Sequence, residues 1–100
     1  MQESDKAYLE LLRSPSLSVG LYVLPRGAAD QQSPHTEDEI YRVLSGPAQF
    51  RAGDEERTVE TGSVLLVEAG VEHRFHSIEK ELHVLVFFAP AQGSAERKDS

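Results

Sequence analysis

From residue 17 to residue 89 the chain is cut into strand-length runs by turn residues, and this punctuation decides its fold class. Residues 17–24 alternate loosely and stop at Pro25-Arg26-Gly27. Residues 28–34 read as a polar loop. Residues 40–44 stop at Ser45-Gly46-Pro47, and residues 48–52 at Gly53-Asp54-Glu55. Residues 57–60, 63–68, 72–77 and 81–89 follow, each set off by Gly or by charge. Proline withholds a backbone donor and glycine admits positive φ, so both end a ladder. Many short strands with close turns predict an antiparallel sandwich or barrel, and no strand–helix alternation suggests a parallel sheet.

The flanks read differently. Residues 3–12 are good helix formers, Ser4 or Asp5 can cap them, and Ser14-Pro15 stops the run. They predict a short helix within an N-terminal segment, residues 1–15. The barrel then occupies residues 16–90. Residues 91–100 carry no apolar anchor, and the expectation for them is a disordered tail.

One hundred residues make one domain with a modest core. A formal charge of -7 argues against nucleic acid or an anionic membrane as partner, because both need a basic surface. No cysteine is present, which removes disulfides, thiolate metal sites and a Cys nucleophile, and fits a cytoplasmic protein. The N-terminal residues lack the apolar core of a signal peptide. The longest apolar stretch, residues 84–90, is far short of the roughly 20 residues that span a bilayer.

Inside the strand region, ionisable side chains sit at fixed offsets from glycines: Gly27-x5-Ser33-x-His35-x3-Glu39-x6-Gly46, then Gly62-x5-Glu68-x-Gly70-x2-His73. Ser33 and His35 are two apart, so they share a face on an extended chain. Glu39, Tyr41 and Val43 alternate in the same way along the next strand. If the two segments lie side by side, His35, Glu39 and His73 converge. Two histidines and one carboxylate are a ligand set for a divalent metal with open coordination positions.

These segments resemble the two motifs of the cupin superfamily. Gly27, His35, Glu39 and Gly46 fall on the first motif, with Ser33 where the family has its first histidine. Gly62, Gly70 and His73 fall on the second, with Glu68 at the family's proline and Ser77 at its asparagine. The resemblance covers residues 17–90. It implies a double-stranded β-helix, or jelly-roll barrel, holding a divalent transition metal (Fe, Mn, Zn or Ni) on His35, Glu39, His73 and the Ser33 position. It also implies dioxygenase-like chemistry on a small organic substrate, with isomerisation or decarboxylation as rivals. The other reading is a non-catalytic ligand-binding or sensor barrel whose metal site has decayed at Ser33. A register shifted to His35 and Glu37 would put Tyr41 or Arg42 at the third ligand position and break the spacing from Gly27. Glu37 stays open as a substitute ligand.

Tyr41 and His83 are the candidate catalytic side chains. Tyr41 shares the parity of Glu39 and should face the cavity. His83 lies in an apolar run, either as a half-buried strand histidine or as a base or donor inside the barrel. His76 faces away from His73 on a strand. Phe50, Phe75, Phe87 and Phe88 pack the barrel or line a small pocket. Arg51 is most simply solvated and would hold a substrate carboxylate only if it turned inward. Edge strands of a half-open barrel expose unpaired backbone groups, so a homodimer is expected.

Overall fold

The structure, a computed structural model, describes residues 7–28 and 36–91. Eight strands run in chain order: β1 (Ala7–Ser14), β2 (Leu17–Leu24), β3 (Asp38–Ser45), β4 (Ala48–Ala52), β5 (Glu55–Val59), β6 (Val64–Val67), β7 (His73–His76) and β8 (Leu82–Ala89). They form a five-stranded sheet, β1-β2-β8-β3-β6, facing a three-stranded sheet, β5-β4-β7. Every pairing is antiparallel. This is the all-β barrel that the turn punctuation predicts. No helix among the described residues is long and apolar enough to cross a membrane.

The N-terminal helix is corrected over the described part. Residues 7–14 are β1, paired with β2 from Ala7↔Val23 to Ser14↔Leu17, with a bulge between Glu10 and Leu12. The remainder of the predicted helix lies outside the described residues. Helix propensity is a weak prior, and a lone helix of about ten residues is marginal in water. Pairing to β2 satisfies the backbone and carries the Tyr8 ring against Tyr22 and Phe88, with centroids 6.0 and 6.3 Å apart. At the other end, Ala91 belongs to the fold and not to a tail. It is buried, and its N–H donates to the Pro15 carbonyl at 3.4 Å. Residues 92–100 of the predicted tail lie outside the described residues.

Alternation places the core between the sheets. On β8, Leu82, Val84, Val86 and Phe88 are buried while His83, Leu85 and Phe87 are half-buried. On β3, Glu39, Tyr41 and Val43 are buried while Ile40, Arg42 and Leu44 are exposed. Tyr41, Phe50 and Phe75 form the centre, with ring centroids 4.7 to 5.7 Å apart in tilted and edge-on pairs. Such contacts add about 0.5–1.5 kcal/mol each beyond area burial.

Two turns set the interior. At the β5–β6 turn, the Gly62 N–H donates to the Val43 carbonyl at 2.8 Å, and the Val43 N–H donates to Ser63 at 2.9 Å. Between β6 and β7, Gly70 adopts φ 84°, which favours glycine, and the Val71 N–H closes the turn on Glu68 at 3.2 Å. The Asp38 carboxylate accepts the Ala69 N–H at 2.8 Å. That bond ties the start of β3 to the turn that leads into His73.

Gly20, in the middle of β2, marks a close approach. A Cβ there would run into the hydroxyl and ring of Tyr8. Gly20→Ala therefore forces the phenol out of its seat. The expected loss is about 1–3 kcal/mol by denaturant unfolding. A change below about 0.5 kcal/mol would show that Tyr8 is not seated on this backbone.

Candidate metal centre

Glu39 comes from the five-stranded sheet and His73 from the three-stranded one, and they meet across the core. Glu39 is 1% exposed and His73 is 4% exposed. Glu39 Oε2 and His73 Nε2 are 3.3 Å apart. The Tyr41 hydroxyl donates to the other carboxylate oxygen, Oε1, at 2.7 Å. His73 Nδ1 lies 2.8 Å from the Val71 carbonyl. A carbonyl can only accept, so Nδ1 carries the proton. In a neutral imidazole Nε2 is then a lone pair aimed at a carboxylate oxygen.

Two acceptors facing each other at this distance repel, and a cation between them, either a proton on Nε2 or a metal ion, turns the contact into an attraction. The donor set fits the metal that the fold family implies. Metal-ligating histidines commonly donate their second ring nitrogen to a carbonyl in this way, and ligating carboxylates are themselves held by hydrogen bonds. Two ligands each about 2.1 Å from one ion, at an angle near 100°, stand about 3.2 Å apart. The observed separation matches that bite. Tyr41 and Phe50 flank the imidazole, with ring centroids 5.8 and 6.3 Å from it.

The structure brings Glu39, His73 and Tyr41 together. Ser33 and His35 lie outside the described residues. Among the described residues, no group of three His, Asp or Glu side chains gathers as a metal site. Glu37 shares the inward parity of Glu39, is 1% exposed, and accepts the Thr36 hydroxyl at 2.6 Å. Tyr41 meets Glu39 through its hydroxyl.

His83 is a correction. It stands between the inward Leu82 and Val84, so strand parity turns it to the outer face, where it pairs with Glu81 at 2.9 Å. It is not inside the barrel. His76 also faces outward, 3.0 Å from Glu56. Arg51 is exposed, bonded to the Gly53 carbonyl at 3.2 Å and 3.9 Å from Glu56.

A helix over residues 3–12 gives Tyr8 no place in the core, whereas strand β1 does. Its hydroxyl is buried over Gly20 with no hydrogen-bond partner among the described residues. Burial, then the negative charges of Glu10 and Glu39, push its pKa from 10.0 up to about 12. Tyr8 thus stands within the electrostatic reach of the Glu39 carboxylate. Gly20 was the available signal, because a glycine inside a strand marks a close backbone approach.

A two-sheet antiparallel barrel with a buried His–Glu pair across its core defines a class of small β-barrel proteins. The family model described as Cupin domain matches residues 20–89, and the chain belongs to that family. The uncharacterized protein SCO3923 of Streptomyces coelicolor is 49% identical over 89 residues, covering 89% of this chain and 85% of that one. Among solved structures, TT1209 from Thermus thermophilus superimposes with TM-score 0.77 at 26% identity, covering 87% of this chain and 85% of that one. The DMSP lyase DddQ from Ruegeria pomeroyi does so with TM-score 0.79 at 24% identity, covering 85% of this chain and 47% of that one. The latter likeness shows the fold alone.

The raised Tyr8 pKa has a stability consequence. Its folded value lies above the unfolded value of about 10, so the folded state holds the proton more tightly. The associated stability is complete below pH about 10 and is lost as pH rises through about 12. Ultraviolet titration of the wild type minus Tyr8→Phe should isolate one phenol ionising near pH 12. A difference curve centred near 10 would place Tyr8 in solvent.

Proposed function

We propose that this chain is a metal-dependent enzyme acting on a small organic substrate. A divalent transition ion is held by Glu39, His73 and His35, and Glu37 or Ser33 stands next in line. The observation that carries the reading is the opposition of His73 Nε2 and Glu39 Oε2 at 3.3 Å inside the core, with Nδ1 committed to Val71. When bound there, an Fe or Mn ion supplies Lewis-acid and oxygen-activating chemistry, as the 2-His-1-carboxylate set suits. Dioxygenase-type oxidation is the reading carried from the family resemblance, and a lyase on the same fold, the Ruegeria DMSP lyase, keeps non-oxidative chemistry as its neighbour.

The chain's own residues do four things in this reading. Val71 fixes the His73 tautomer. Tyr41 orients the Glu39 carboxylate. Tyr41, Phe50 and Phe75 keep bulk water from the ligands, which strengthens charge interactions there. The Tyr8 hydroxyl, buried on β1, keeps its proton within the electrostatic reach of the same carboxylate. Cytoplasmic residence fits a cysteine-free acidic chain.

A second reading draws on one feature. With a proton on Nε2, the run Tyr41–Glu39–His73–Val71 satisfies itself. The barrel would then bind a small ligand without metal and without turnover.

Elemental analysis of protein made without chelators separates the two. The enzyme reading expects close to one ion per chain. His35→Ala, Glu39→Ala and His73→Ala should each weaken binding by about a hundredfold or more while the fold persists, because the strands do not need the ion for a core. Tyr41→Phe should weaken binding about ten- to a hundredfold, as removal of a ligand's hydrogen-bond partner does. Oxygen uptake under Fe(II) with phenolic, thiol and keto-acid substrates then reads turnover. A protein with no ion, and no thermal shift under excess Fe(II), Mn(II), Zn(II) or Ni(II), would contradict the metal reading. Stoichiometric metal with no turnover would favour the binder.

A further inference from the structure

A cleft of about 250 Å³ opens one strand away from His73, with β4 and β5 on one side and β6 on the other. Strand register places its walls. On the inner face of the small sheet, Glu55, Ala52 and His73 stand in one row, and Arg57, Phe50 and Phe75 in the next. On the facing sheet, Leu65 is the partner of Tyr41. Phe50, Ala52 and Leu65 thus line the cleft and also adjoin the side chains of the candidate metal centre. Ala52, with a single methyl, is all that fills the row between Glu55 and His73.

The cleft carries charge where strand parity calls for apolar residues. Val59, at the same parity on β5, is buried, whereas Glu55 and Arg57 are exposed at the mouth. Arg57 Nη2 lies 3.7 Å from Glu55 Oε1, beyond hydrogen-bond distance. With side chains 67% and 76% exposed, the pair adds little to stability and leaves the guanidinium free to meet a ligand. Among the described residues, Arg57 is the only cation in the lining.

We propose that this cleft seats the substrate and that Arg57 reads its carboxylate. The substrate class is then a compact carboxylic acid. Its apolar body rests on Phe50, Ala52 and Leu65, and its far end points along the Ala52 row to His73. A planar guanidinium offers a carboxylate two parallel N–H donors, which an amine or an amide cannot use in that way. The volume lies just below the roughly 300–1,000 Å³ of drug-sized sites, so the acid is small. From β5 to β7 is two strand spacings, about 10 Å, a span that a small aromatic acid and the Arg57 side chain cover together. The role as substrate seat rests on the metal-enzyme reading, whereas recognition of the carboxylate is a property of the cleft alone.

NMR titration of the chelator-treated full chain with benzoate, benzamide and benzylamine tests it. Benzoate should shift the resonances of Phe50, Ala52 and Leu65, and should bind about tenfold or more tighter than the other two. Arg57→Gln should weaken benzoate about tenfold or more, as loss of a charge-assisted hydrogen bond does. Arg57→Lys should recover only part of that loss, because the fork is gone. Arg51→Gln, on the outward parity of β4, should change nothing. Benzoate that moves none of these resonances at about 10 mM would overturn the proposal. So would a preference for benzylamine, which would hand recognition to Glu55, or equal losses in Arg57→Gln and Arg51→Gln, which would reduce the effect to net charge. Normal benzoate binding by an Arg57→Gln protein that self-associates would also overturn it, and would make Arg57 a guard of the β5 edge. Benzoate bound in the cleft of a chain that takes up no metal would uphold the seat and contradict the enzyme reading, so the two failures are told apart.

Discussion

One contact joins the two sheets chemically: a ring nitrogen and a carboxylate oxygen that can both accept, held 3.3 Å apart where water does not reach. Two lone pairs aimed at one another in a low-dielectric core repel. It becomes favourable with a positive charge between the two atoms. Everything around it serves to keep the two atoms in that opposition. The Val71 carbonyl commits the far side of the imidazole, and the Tyr41 hydroxyl commits the far oxygen of the carboxylate. The Asp38 side chain pins the turn from which His73 departs. The Tyr41–Phe50–Phe75 cluster fixes the rings on either side.

The barrel also divides its surfaces by chemistry. Between the two sheets lie the aromatic core, two buried carboxylates and one buried imidazole. The outward side of the large sheet is nearly uncharged, although the chain as a whole is strongly acidic. The carboxylates gather instead in turns and on the small sheet, as at Asp54, Glu55 and Glu56.

Much of this was legible in the residues. Turn punctuation fixes the strands because Gly and Pro act locally, and the glycine offsets single out Glu39 and His73. Both do lie inside, on opposite sheets. Three things were not legible. Residues 7–14 favour helix as an isolated segment, and only the partner strand β2, far stronger as a context, makes them a strand. Parity sends His83 outward, and a run in which all neighbours are apolar hides which side is the core. Tyr8 is buried only because that segment is a strand, with its ring and hydroxyl resting on Gly20. The first-motif positions Ser33 and His35 lie outside the described residues, so the metal assignment rests on the second motif and on Glu39.

The most direct test of the opposed-acceptor account is nitrogen-15 NMR of the His73 imidazole, with Zn(II) added to the protein at neutral pH. The account predicts that Nδ1 keeps its proton throughout, while the Nε2 resonance moves as the ion takes the position facing Glu39. An Nε2 that holds a proton unchanged under excess zinc would contradict it, and would leave His73 and Glu39 as a structural ion pair.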